Sequence, residues 1–288
     1  MTESSSPTTP TLITTLFYVA SIALAVVVVF NASAAAMDYG ALYEQFTPGN
    51  RADAQVKNVL QVLSLGLYRG ASEQAGEIAL VIELAETHEL RARQSAWLLF
   101  GVSVFFLVAK ALALGRVAKF SSSPVFVSHL LGVSSVFLVV GLMAPILSLV
   151  AYTDVVVLGK VVFKYESKGI ITTVAELVRR DNIFIAAILF TFSVVTPLIK
   201  HVFTFLALRA QSQSVRERYV KFLSAIGKWS MADVLVVAIV LAFFVAGADE
   251  FSDSWLGVGL YFFTGYCLLS LAAVQLVTRV SMTVEGDR

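Results

Sequence analysis

The sequence predicts an all-α polytopic membrane protein with six transmembrane helices, an outer helical hairpin and a small extracytoplasmic β-layer. Three observations carry this. The chain is 58% hydrophobic and only 14% charged, with a mean hydropathy of +0.82. Several windows stay apolar for about 20 residues, the length that crosses about 30 Å of hydrocarbon. Basic residues gather in two of the loops between those windows, which gives the spans an orientation.

The first span is expected at about residues 12–36, after the polar MTESSSPTTP. A run of small residues, NASAAAM, follows it and resembles a signal-peptidase site. A secretory signal has a basic n-region and a shorter apolar core, so the segment reads as an uncleaved anchor. The loop at 37–94 is acidic on balance. In it KNVLQVLSLGLYR and EIALVIELAETHELRARQ place apolar residues at helical spacing, around a glycine-containing break, RGASEQAGE. This predicts a helical hairpin whose second helix runs on into span two, at about 95–115. Two roles stand open for it: a structural cap and a partner-docking surface. His88 in ETHEL lacks the second histidine that a zinc helix needs, so no metal is expected there.

Span three is expected at about 125–151, with Pro145 kinking its outer end. The stretch SLVAYTDVVVLGKVVFKYESKGII is rich in Val and Ile and broken by Gly159 and Gly169. It predicts two or three short strands. ITTVAELVRRDN then predicts a short helix capped by Thr172 or Thr173, with Glu176 inside it. Span four follows at about 183–208, span five at 231–248 and span six at 255–278. The loop between spans four and five carries Arg209, Arg216, Arg218, Lys221 and Lys228 against one acid, Glu217. The loop between spans two and three carries Arg116 and Lys119. Both are expected in the cytoplasm, which puts both termini there too.

Several function classes drop out. A net charge of +1 with no basic tract gives no reason to expect nucleic-acid binding. The single cysteine, Cys267, supplies neither an internal disulfide nor a thiolate metal cluster, and reads as a small buried residue. No Walker A loop, GxSxG, CxxC or HExxH occurs, so the chain is expected to be no enzyme and to use no cofactor.

Charges inside the spans are the candidate site. Lys200 lies about eight residues before the end of span four, so roughly 12 Å deep. Asp233 lies about one turn into span five from the same side. One reading pairs them in the bundle interior. The other has Lys200 snorkelling to the interface and Asp233 starting its helix. Pro197 favours the first, because a proline removes a backbone hydrogen bond and opens the helix beside Lys200 and His201. Ser270 in span six is either a packing residue or a third polar group of that site. Lys110 and His129, near helix ends, read as boundary residues that snorkel.

GKWSMADVLVVAIVLAF resembles the signature segment of the paraquat-inducible protein A family, in which a Lys/Arg-Trp-Ser-Met-x-Asp-Val motif opens a span. SVVTPLIKHV, GLMAPILSL and GLYFFTGYCLLSLAAVQL resemble that family's other spans, in the family's order, over about residues 125–280. The resemblance implies one tetraspanin-like four-span unit, at 121–288, behind a divergent two-span unit at 1–120. It implies a bacterial inner-membrane protein that hands phospholipid to or from an MCE-domain partner. It carries over Lys200 and Asp233, with Ser270 a weaker match. Many members have two such units and cytoplasmic zinc ribbons; this chain has one unit and no CxxC pair. The competing expectation is a non-transporting scaffold, tetraspanin-like in shape, that anchors and orients a partner. An independent small-molecule or ion transporter ranks below both, because no inverted repeat is visible.

Overall fold

The structure, a computed structural model, describes residues 9–44, 70–113, 124–155, 159–210, 212, 214–225 and 252–286. Helices α1 (Thr9–Glu44), α2 (Gly70–Ala113) and α3 (Pro124–Met143) come first. Strands β1 (Leu147–Val155) and β2 (Gly159–Lys168) follow, then α4 (Ile170–Arg179). The next membrane helix is built from α5 (Ile183–Phe190), a π-helical turn (Thr191–Val195) and α6 (Thr196–Arg209). Helix α7 (214–225), β3 (Ser252–Leu256) and α8 (Val258–Gly286) complete the order. Five helices among the described residues are long and apolar enough to cross a membrane. The span expected at 231–248, and Asp233 with it, lies outside the described residues, as does the first helix of the expected hairpin.

Helices α1 and α2 run antiparallel along much of their length. Lys110 donates to Thr14 Oγ1 at 2.9 Å near one end, and His88 meets Asp38 at 2.7 Å near the other. Between them Phe17 stacks on Phe106 at 3.7 Å. Their buried faces repeat at three- and four-residue steps on α1 (Phe17, Ser21, Ala25, Val28, Ala32 and Ala35) and every seven residues on α2 (Ala85, Ala92, Leu99 and Phe106). That spacing makes one straight seam, as in a coiled coil. Alanine and serine dominate it because lipid supplies no hydrophobic drive between helices, so close van der Waals approach must hold them. The outward faces, with Leu16, Phe30, Trp97, Phe105 and Leu112, are exposed and apolar.

Two details differ from expectation here. The segment Arg69–Glu77 was expected to break the helix, yet α2 begins at Gly70 and runs through it. Its alanine, glutamate and glutamine are strong helix formers, and two glycines cost only about 1 kcal/mol each. Lys110 and His129 also have specific partners. Lys110 bonds Thr14 and lies over the Phe106 ring, and His129 Nδ1 is 3.2 Å from the Tyr18 hydroxyl.

Helix α3 is the central helix, packed against α1, α2, α4, α6 and α8. It ends at Met143, and Pro145 lies beyond that end instead of kinking the helix. The strands form an antiparallel sheet of order β2-β1-β3. The expected strand segment supplied two strands; the third comes from Ser252–Leu256, just before α8, where only a partner strand distant in sequence makes extended backbone favourable. The sheet is tied to the helices through a backbone knot. Gly257 and Gly259 donate to the carbonyls of Ile146 and Pro145 at 2.8 and 2.9 Å. A Cβ on them would come within 2.2 Å of the Pro145 oxygen and 2.4 Å of the Ala144 oxygen, so only glycine fits. Helix α4 has Gly169 at its N-cap, and Thr172, one turn in, accepts the Gly169 N–H at 2.9 Å. Tyr39 and Tyr43 at the end of α1 pack with Tyr165 and Trp255, which docks α1 on the sheet.

Candidate functional site

The α5–α6 helix does not continue as a regular α-helix toward Pro197. It widens into the π turn, and the Thr196 N–H bonds the Thr191 carbonyl five residues back. The Thr196 hydroxyl donates to the same oxygen at 3.0 Å. The sequence argument expected an opening at Pro197; the structure places it in the five residues just before. A π turn absorbs the ring that would otherwise strike the preceding turn, and such turns concentrate at functional sites.

From this turn onward the buried residues of the helix fall on one line. Ser193, Pro197, Lys200, Thr204 and Ala207 are buried at steps of four, three, four and three. Lys200 is 3% exposed. It lies nine residues before Arg209, the end of the candidate span, so about 13 Å from that end. It therefore faces the bundle interior and does not snorkel outward. Thr204 donates to the Lys200 carbonyl at 2.6 Å, which turns that hydroxyl back onto its own helix.

Helix α8 presents a matching line: Tyr266, Ser270, Ala273 and Val277 are all buried. The two helices meet through an aromatic contact. His201 stacks on Tyr266 with ring centroids 5.7 Å apart. Ser270 lies one turn, about 6 Å, farther from the sheet than Tyr266. Pro197, Lys200 and Ser270 are each buried, on two helices that meet at His201 and Tyr266. Asp233 lies outside the described residues.

Ser134, Ser193, Thr204 and Tyr266 are buried here as well, and the sequence alone did not place them. His201 Nε2 is 2.8 Å from Ser134 Oγ on α3, and His201 Nδ1 is 3.1 Å from the Pro197 carbonyl. Ser134 is completely buried and also reaches the Leu131 carbonyl at 3.1 Å. Ser193 and Thr204 were legible in principle from the heptad spacing with Lys200. Ser134, 67 residues from His201, was not. Among the described residues no group of three or more His, Cys, Asp or Glu side chains could hold a metal ion.

Chemically, these residues offer a buried ammonium, an imidazole with both nitrogens engaged, and several hydroxyls, inside an otherwise apolar bundle. A buried cation is costly in hydrocarbon and marks a functional position by default. A family model described as paraquat-inducible protein A matches residues 137–282, just over half of the chain. That stretch holds Pro197, Lys200, His201, Asp233 and Ser270. No curated protein and no solved structure matches the chain.

Proposed function

The chain belongs to the paraquat-inducible protein A family, and from that membership we propose that it is an inner-membrane component of an MCE-type lipid transport system. The observation that carries the reading is Lys200: an ammonium 3% exposed, within a membrane span, beside a π turn, inside the family's segment. A transporter of anionic phospholipid needs a cation that the bilayer alone does not provide. A scaffold does not.

In this reading the apolar bundle surface receives acyl chains from the bilayer. Lys200 either contacts the headgroup phosphate or joins Asp233 in a charge pair that gates movement, with Ser270 as a hydroxyl of the same site. Both termini and the basic loops face the cytoplasm, and the β-layer faces an MCE-domain partner on the other side. Pairing of Lys200 with Asp233 follows from their depth in adjacent spans, since a buried cation is retained where an opposite charge meets it.

The test combines capture and function. Full-length protein is crosslinked in native membranes and its partners are identified by mass spectrometry. In parallel, Lys200→Ala and Asp233→Asn are assayed for outer-membrane barrier function in a strain that depends on the chain. Recovery of an MCE-domain protein and loss of the barrier, at normal expression, are expected. Normal barrier function in a double variant with apolar residues at both positions would instead favour the tetraspanin-like scaffold that only orients a partner.

A further inference from the structure

The contacts of His201 favour one proton arrangement. The Pro197 carbonyl can only accept, so Nδ1, 3.1 Å away, carries a hydrogen. In the neutral ring Nε2 is then bare and accepts from the Ser134 hydroxyl, 2.8 Å away. The Ser134 hydroxyl has a second acceptor in reach, the Leu131 carbonyl at 3.1 Å. The group therefore has two complete hydrogen-bonding states with the same heavy-atom positions.

We propose that His201 and Ser134 form an intramembrane proton-binding pair. A proton arriving from the aqueous side forms the Nε2–H bond, and that N–H donates to Ser134 Oγ. The Ser134 hydrogen, released from Nε2, turns to the Leu131 carbonyl. No heavy-atom bond breaks, and the ring gains one positive charge. A lone histidine in hydrocarbon would lose its hydrogen bond on protonation and meet no acceptor; here one is built in.

Among the described residues, two neighbours flank His201 along its own helix and across from it. Lys200 precedes it on α6, and Tyr266 of α8 stacks on its ring. From α3 the Ser134 hydroxyl reaches it, and the Leu131 carbonyl reaches that hydroxyl. Asp233 is the further titratable group that the sequence assigns to this half of the bundle. Proton binding by this pair does not depend on the lipid role.

The test is nitrogen-15 spectroscopy of histidine-labelled full-length protein in lipid nanodiscs. The chain has three histidines, so His88→Gln and His129→Gln assign the third. Neutral His201 is expected with Nδ1 protonated and Nε2 bare, and acidification should reversibly protonate Nε2. Ser134→Ala deletes the acceptor and should move the midpoint by about one pH unit. Ser128→Ala, whose hydroxyl bonds the Pro124 carbonyl of the same helix, should leave it in place. A neutral ring carrying its proton on Nε2 overturns the proposal. So does an Nε2 that never titrates, or a midpoint indifferent to Ser134→Ala. If that variant does not fold, the tautomer and titration of the unaltered chain decide. Titration as expected with a failed barrier assay would sink the lipid role alone.

Discussion

Gly141 on α3 is the point at which one methyl group should do most damage. A Cβ there would lie 2.7 Å from the Phe263 Cα and nitrogen and 2.8 Å from its Cβ. Backbone atoms cannot rotate away, so Gly141→Ala must push α3 and α8 apart by about 1 Å to restore van der Waals distance. A gap of that size forfeits a quarter to a half of the attraction of every contact nearby. The affected packing includes Phe137 on Phe262, 5.0 Å apart, and Phe263 on Tyr266, 5.8 Å apart. Overpacking of this kind costs about 1–3 kcal/mol. For a chain of this size, 2 kcal/mol corresponds to a melting temperature about 4–8 °C lower. Gly101 is the internal control: it also sits inside a membrane helix, and a Cβ there meets nothing within 4 Å. Gly101→Ala should hold or raise the melting point, because alanine loses less backbone entropy than glycine. The assay is thermal unfolding of the detergent-solubilised protein. If Gly141→Ala melts no lower than Gly101→Ala, the close approach of α3 and α8 is refuted.

Three further outcomes follow from the geometry. Cysteines at Ser21 and Ser103, in a chain with Cys267→Ala, should form a disulfide on mild oxidation, because the α1–α2 register set by Phe17 on Phe106 places them opposite each other; absence of the crosslink on non-reducing gels would reject that register. On the sheet side, Lys168 bonds Glu166 at 2.9 Å and Glu176 at 2.5 Å, and Arg180 pairs with Glu176 as well. Partial burial works to raise the Glu166 carboxyl, but the ammonium groups of Lys164 and Lys168 outweigh it and hold it below 4.5; Glu176 is lowered by its hydrogen bond to Lys168. Their contribution is complete above that ordinary value and is lost as pH falls through the lowered one, so the melting point should drop in acid. Glu166→Gln should blunt the drop, at a cost under about 1 kcal/mol near neutrality for so exposed a pair, and a pH profile identical to the unaltered chain would count against the network. Finally, Gly257→Ala, whose Cβ would meet the Pro145 oxygen, should unseat β3 and lower expression of folded protein far more than an alanine in the exposed face of α2.

The sequence by itself determined the class of this protein. Apolar runs of membrane-spanning length do not depend on what they pack against, so the spans it marked reappear as helices where residues are described, although span three stops at Met143 and span six starts at Val258. The Val-rich segment likewise announced β1 and β2, and the charge within an apolar run marked Lys200. What the tertiary structure decided is every feature that needs two distant segments. β3 is a strand only because β1 offers it hydrogen bonds. The alanine seam of α1 and α2 acquires meaning only when the two helices lie antiparallel. Lys200 is interior, not snorkelling, because the buried stripe of α6 turns toward α3 and α8. Ser134 is an ordinary small helix residue in the sequence, and only the packing of α3 against α6 brings it within 2.8 Å of His201. Local periodicity is written in neighbouring residues; the partner across an interface is fixed by shape, and shape exists only once the helices have packed.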